Sequence, residues 1–278
     1  MKKICVVVIL LTAGIIFSCK KDKNLLPPVI LPPPSDAQTI LLKDIVIQSL
    51  PSPYYHFEYD GAGFIIKSAF SAGLRSYSVN HVSKRISEIE STDILNNDKM
   101  VYHYEDGKVF LIQYFDQSGK NYRRCFVTYN TTGQLVKIEW ELKLGVTGFA
   151  IDRTLTFDYY ADANLKELTD HRHFIAGQQT EASYTELYEN YDNKINVDGF
   201  THIHDNNDHL ILLPNIKLQK NNPSKTIRSG NGINYQITHT YTYNEINRPI
   251  QVNGDVLFTS GPDAGKHFQS HTTFTYYP

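Results

Sequence analysis

Tyr129-Asn130-Thr131-Thr132-Gly133-Gln134-Leu135 holds a complete hairpin signal in seven residues. The asparagine after the aromatic can accept backbone N–H groups ahead of it and start a turn. Glycine at the fourth position after the aromatic tolerates positive φ and closes a type I turn with a bulge. Beyond it, Val136, Ile138, Trp140 and Leu142 point one way, while Lys137, Glu139, Glu141 and Lys143 point the other. A period of two describes an antiparallel strand with one buried and one wet face.

The signal recurs along the chain. Tyr59-Asp60-Gly61-Ala62-Gly63, Phe115-Asp116-Gln117-Ser118-Gly119 and Tyr243-Asn244-Glu245-Ile246-Asn247 repeat it, as does the weaker Tyr160-Ala161-Asp162-Ala163-Asn164. Gly63, Gly119, Gly133, Asn164 and Asn247 are therefore the expected turn-closing residues. Leu155, Phe157 and Tyr159 alternate with Thr154, Thr156 and Asp158, and no long window has a helical period. The expectation is an all-β domain over residues 39–278, an antiparallel meander of repeated hairpins with roughly 15 to 18 strands. Such a sheet is expected to be long, twisted and curled; a partly closed barrel or a sandwich is the alternative, because large sheets curl or split.

The Tyr-Asp-x-x-Gly hairpins resemble YD repeats, the unit of RHS proteins. The whole chain resembles uncharacterised Bacteroidota lipoproteins built from YD-like hairpins, over about residues 40–278. In large RHS proteins this resemblance implies a shell around a toxin. Here the repeats are too few to enclose a cargo, so architecture carries over and that function does not.

The first nineteen residues set the address. Lys2 and Lys3 precede an apolar run from Ile4 to Phe17, too short for the roughly 20 residues that span a bilayer as a helix. A charged head, a short apolar run and a small residue before a cut site mark a secretory signal, residues 1–18. Ile16-Phe17-Ser18-Cys19 resembles a lipobox, which makes Cys19 the lipidated residue and the membrane a partner. Residues 19–38, with Pro27, Pro28, Pro32, Pro33 and Pro34, form an extended tether. Lys20 stands where Asp would favour inner-membrane retention, so the outer membrane is expected, on its periplasmic or its surface face. Of three cysteines, Cys5 leaves with the signal and Cys19 takes lipid. Cys125 then has no internal disulfide partner and reads as a small buried hydrophobe.

Composition excludes more than it assigns. Removal of Lys2 and Lys3 takes the formal charge from −2 to −4, too mild for a nucleic-acid partner. Neither Gly-x-Ser-x-Gly nor His-Glu-x-x-His occurs. Gly261–His267 lacks the spacing and hydroxyl of a phosphate loop, and Asn196-Val197-Asp198-Gly199 lacks the flanking acids of a calcium loop. The richest ligand cluster is His202, His204, Asp205, Asp208 and His209. His202 and His204 share a strand face and a short turn can return His209, a pattern suited to a divalent metal and the only cofactor candidate. His171 and His173 form a second pair, and Glu139 and Glu141 read as solvated charges. The 19 tyrosines favour cross-strand pairing over an exposed sugar-binding row. The expected role is a non-enzymatic envelope lipoprotein that binds or organises an unknown protein or glycan partner. A carbohydrate-binding accessory is the alternative, and a hydrolase is third.

Overall fold

Side-chain capping shapes the repeated turns in the computed structural model, which describes residues 41–93, 98–145, 148–197, 200–205 and 209–278. Asp60 Oδ1 accepts from the amides of Ala62 and Phe64, both at 2.9 Å. Asp116, Asn130 and Asn244 repeat this on the amides two and four residues ahead. Gly63, Gly119, Gly133 and Asn247 take φ of 82°, 78°, 88° and 61°. The strand register slips by one beside Tyr59, Phe115, Tyr129 and Tyr243, one bulge per turn.

Asn164 departs from this pattern and corrects the expected register. The slip in that hairpin falls beside Tyr159, and the left-handed residue is Ala163, with φ 70°. Tyr160 thus stands where the other turns have Asp or Asn. Asp162 supplies a partial cap instead, accepting from the Asn164 amide at 3.0 Å.

Eighteen strands lie among the described residues. The first six are β1 (Leu42–Ile47), β2 (Tyr55–Tyr59), β3 (Ile65–Phe70), β4 (Arg75–Val82), β5 (Arg85–Ser91) and β6 (Lys99–Glu105). Then come β7 (Lys108–Phe115), β8 (Asn121–Tyr129), β9 (Leu135–Leu144), β10 (Gly148–Tyr159), β11 (Leu165–Arg172) and β12 (Ala182–Tyr191). The last are β13 (Phe200–His204), β14 (Leu210–Pro214), β15 (Pro223–Gly230), β16 (Tyr235–Tyr243), β17 (Pro249–Phe258) and β18 (His267–Tyr276).

Sixteen of them close into one antiparallel barrel, in chain order except that β12 pairs directly with β15. The seam is β1 against β18, from Leu42 opposite Tyr276 to Ile47 opposite Thr272. Closure replaces the open curled sheet expected from sequence. It removes both free edges, which a pattern of hairpins leaves unspecified because closure joins the two ends of the domain.

The wall has a dry inner face and a charged outer one. Phe57, Ile89, Ile112, Cys125, Ile138 and Trp140 point inward and have no exposed surface. The outer face carries ion pairs around the circumference: Glu58–Lys67, Glu88–Lys99, Arg124–Glu141, Glu139–Lys137, Glu189–Lys225 and Asp255–His267.

The β13–β14 hairpin lies inside the barrel. Leu210, Ile211, Leu212 and Leu213 are each 0% exposed, so both faces of β14 are buried. Burying each such side chain contributes about 1.5–3 kcal/mol. Phe200 packs edge-on against Phe57 of β2 with centroids 4.9 Å apart, and the Leu212 amide donates to Tyr102 Oη of β6 at 3.1 Å. His204 spans the lumen: Nε2 lies 2.9 Å from Tyr55 Oη on β2, and its carbonyl accepts from Arg153 of β10 at 2.7 Å. β2 and β10 are opposite each other in the sixteen-strand ring.

Tyrosine hydroxyls tie the rim where these hairpins turn. Tyr59, Tyr159, Tyr191 and Tyr276, each at the end of a strand, donate to the carbonyls of Leu42, Leu135, Leu165 and Pro249, each at the start of another. This use as rim pins accounts for part of the tyrosine enrichment.

Candidate functional site

Arginines held in an apolar interior mark the most constrained chemistry in the molecule. Arg123 alternates with Cys125 and Val127 on the inner face of β8, and Arg153 with Leu155 and Phe157 on that of β10. Arg123 donates to Asp205 of the hairpin at 3.0 Å and to Asp152 at 2.5 Å. Arg153 makes a bidentate pair with Asp170 of β11, at 3.0 and 2.8 Å. The Trp140 ring lies beside both guanidinium groups, at 5.9 and 5.2 Å. Burial alone would lower the Arg123 pKa; Asp205, Tyr114 and Asp152 outweigh it and hold the pKa above its usual range. Asp205 Oδ1 also caps the hairpin by accepting from the His209 amide at 3.1 Å. These side chains lock the hairpin to the wall, and their geometry is that of a latch.

The three candidate metal ligands do not converge. His202 and His204 share a face, as expected, but flank the Tyr55 ring, with centroids 4.8 and 5.5 Å away. His209 turns to another part of the wall, where Nε2 lies 2.9 Å from the Tyr122 hydroxyl, which donates to Asp98 at 2.8 Å. Among the described residues no group of three His, Cys, Asp or Glu is placed to hold a metal ion. The turn does bring His209 back, but β14 delivers it beside Tyr77 and Tyr114 rather than beside His204. Asp208 lies outside the described residues, as do Cys19 and the whole signal and tether.

The other candidates fall into structural roles. His171 and His173 stack on the outer face with centroids 4.2 Å apart, bonded to Glu181 and Thr154 respectively. Glu139 and Glu141 face outward and pair with Lys137 and Arg124. Asn164 is fully buried and ties its turn to the segment that returns from the hairpin. Its Oδ1 accepts from the amides of Lys220 and Asn221, at 3.0 and 2.8 Å. Cys125 is wholly buried, and desolvation pushes its thiol well above the ordinary range.

On the hairpin's other side, against β1 and β16–β18, lies a half-open cavity of about 240 Å³. Ile45, Val197, Val252 and Phe274 supply apolar lining, and His202 and His239 supply imidazoles. Sequence alone singled out His202 for a different reason and missed His239. Its phase with Tyr241 on the inner face of β16 was the available signal.

Two solved structures share this architecture. A porin-like protein from Bacteroides uniformis matches with a TM-score of 0.56 at 16% identity, over 86% of this chain and 95% of that one. A porin-like protein from Bacteroides vulgatus matches at 0.53 and 15%, over 86% and 99%. In fold, this chain is similar to porin-like proteins of Bacteroides. No protein-family model matches the chain, and no curated protein does. Barrel walls that face lipid are apolar outside and polar inside. This wall has ion pairs outside, and its occupied lumen is lined mainly by apolar side chains around the buried Arg–Asp latch.

Proposed function

We propose that the chain is an envelope lipoprotein, exported, held to the outer membrane by lipid on Cys19, and acting as a non-enzymatic binding or scaffold module. The observation that supports this reading is the wall polarity taken together with the filled lumen. Charges on the outer face favour water over lipid, and the latched hairpin occupies the space a conduit would need. The porin-like fold fits an envelope role coarsely. The partner is unassigned. The rim opposite the start of β1 exposes Leu74 and Phe174 on separate loops and Phe268 near the start of β18, and is the proposed contact surface. Exposed Phe174 and Phe268 also favour the second reading, capture of a glycan by ring stacking.

Cys19→Ser is expected to move the chain from the membrane to the soluble fraction, and liposomes carrying the wild-type protein are expected to stay impermeable to small sugars. A membrane fraction unchanged by Cys19→Ser, or liposomes made leaky, would overturn the proposal. A glycan array separates the two binding readings: specific signal lost in Phe174→Ser and Phe268→Ser selects glycan capture.

A further inference from the structure

The lumen is divided by the hairpin into two unlike halves. One half holds the latch, with Arg123, Arg153, Asp152, Asp170 and Asp205 buried together. The other half holds the 240 Å³ cavity, and none of its lining residues is Asp, Glu, Lys or Arg. We propose that this cavity is a binding site for a small uncharged molecule with an apolar body and one hydrogen-bonding group at its edge.

Electrostatics selects the ligand class. An ion entering such a half-open space would lose part of its hydration and meet no counter-charge, which disfavours it. A neutral apolar body gives up no ionic hydration by entering and buries surface against Ile45, Val252 and Phe274. The size is adequate, since a cavity of roughly 150 Å³ lined by apolar side chains takes up benzene. A bicyclic ring or a short branched chain suits the larger volume.

His202 fixes the polar end. Most of the other polar lining groups are committed, His239 through one of its two nitrogens. Tyr241 donates its hydroxyl to the Pro223 carbonyl at 3.0 Å, and His239 Nε2 lies 2.9 Å from Thr226 Oγ1. Asn196 and Gln219 bond to each other, and the Asn222 amide bonds to Asp192. Among the described residues the His202 nitrogens make no hydrogen bond, although its ring packs on Tyr55, Phe57 and Phe200. Burial, then the neighbouring His204, holds this imidazole neutral, with its pKa at about 4. A neutral imidazole offers one donor and one acceptor to a ligand.

Three probes with one ring system test charge directly: indole, indole-3-acetate and tryptamine, titrated into the purified full chain with ¹³C-labelled Ile and Val methyls. Indole is expected to shift the methyls of Ile45, Val197 and Val252 saturably, with both charged probes at least tenfold weaker at pH 7.5. Val252→Phe, which fills the space, should abolish those shifts, and His202→Phe should weaken indole several-fold while leaving the set of shifted methyls unchanged. The wild-type methyl map stands as evidence even if Val252→Phe fails to fold. Absence of saturable shifts up to the solubility of indole would overturn the proposal. So would shifts confined to other methyls, or indole-3-acetate binding as tightly as indole.

Discussion

Arg123 joins the barrel wall to the central hairpin through Asp205, 3.0 Å away, in a pair with side chains 7% and 0% exposed. Removing one partner of a buried pair strands the other charge, which costs about 3–5 kcal/mol. Arg123→Met removes the guanidinium that pairs with both Asp205 and Asp152, so the unfolding free energy measured in urea should fall by that amount. Lys67→Met removes a half-exposed partner of Glu58 and should cost less than about 1 kcal/mol. Equal losses in the two variants would show that the latch does not hold the hairpin.

The turn registers make opposite predictions at two positions. Gly133 has φ 88° and Ala163 φ 70°, in equivalent places of their hairpins. Gly133→Ala introduces a Cβ into left-handed backbone and should destabilise by about 1 kcal/mol. Ala163→Gly relieves the same strain and should stabilise by roughly 0.5–1 kcal/mol. Chemical denaturation of both variants is the measurement, and a loss of stability in Ala163→Gly would refute the register assigned to that turn.

Acid should loosen the fold before its carboxylates titrate. Burial brings His202 and His239 down to about 4 from 6.5, and lowers His204 as well. Between those values the unfolded chain takes up protons that the folded chain refuses, so stability rises with pH. It is fully present above about pH 6.5 and shrinks toward pH 4, by up to about 1.4 kcal/mol per pH unit for each histidine. Thermal scans at pH 7.5, 6 and 5 should give a falling Tm, and His239→Gln should flatten the slope. A Tm that holds steady from pH 7.5 to 5 would contradict neutral burial.

Cys125 reports on opening of the wall. Its side chain is 0% exposed and its thiol is pushed well above the ordinary range by burial. With Cys5 and Cys19 replaced by Ser, a thiol reagent should label the native chain only at the rate of unfolding and the denatured chain at once. Rapid labelling of native protein would place Cys125 outside the core.

Much of the wall was legible because each strand states its own two faces. Ile138 and Trp140 against Lys137, Glu139 and Glu141 fix inside and outside for β9 without reference to any other strand. The turns were legible for the same reason, since Asp60 and Gly63 lie three residues apart and act on one another directly. Register at Asn164 was misplaced by one residue because two tyrosines, Tyr159 and Tyr160, compete for the aromatic position. Closure was legible only as an alternative to an open sheet, and the internal hairpin not at all, since both depend on pairings between distant segments. Two local clues pointed at the hairpin: the unbroken apolar run Leu210–Leu213, unlike the alternating strands around it, and arginines in phase with apolar residues. A charge on an apolar face demands a partner, and the partner arrived from elsewhere in the chain.

The seam between β1 and β18 has a consequence for how the chain assembles. Leu42 and Tyr276 are paired across almost the whole length of the domain, so the ring cannot be sealed until synthesis has delivered its final strand. The hairpin precedes four wall strands in chain order, and once sealed the ring offers it no lateral entrance. Seating of the hairpin and closing of the ring are therefore coupled in time, with the stopper fitted before the last stave. Until that moment β1 and β17 both present open edges, and pairings of such long separation form slowly. The interval before closure is the period in which this chain is most exposed to edge-to-edge association.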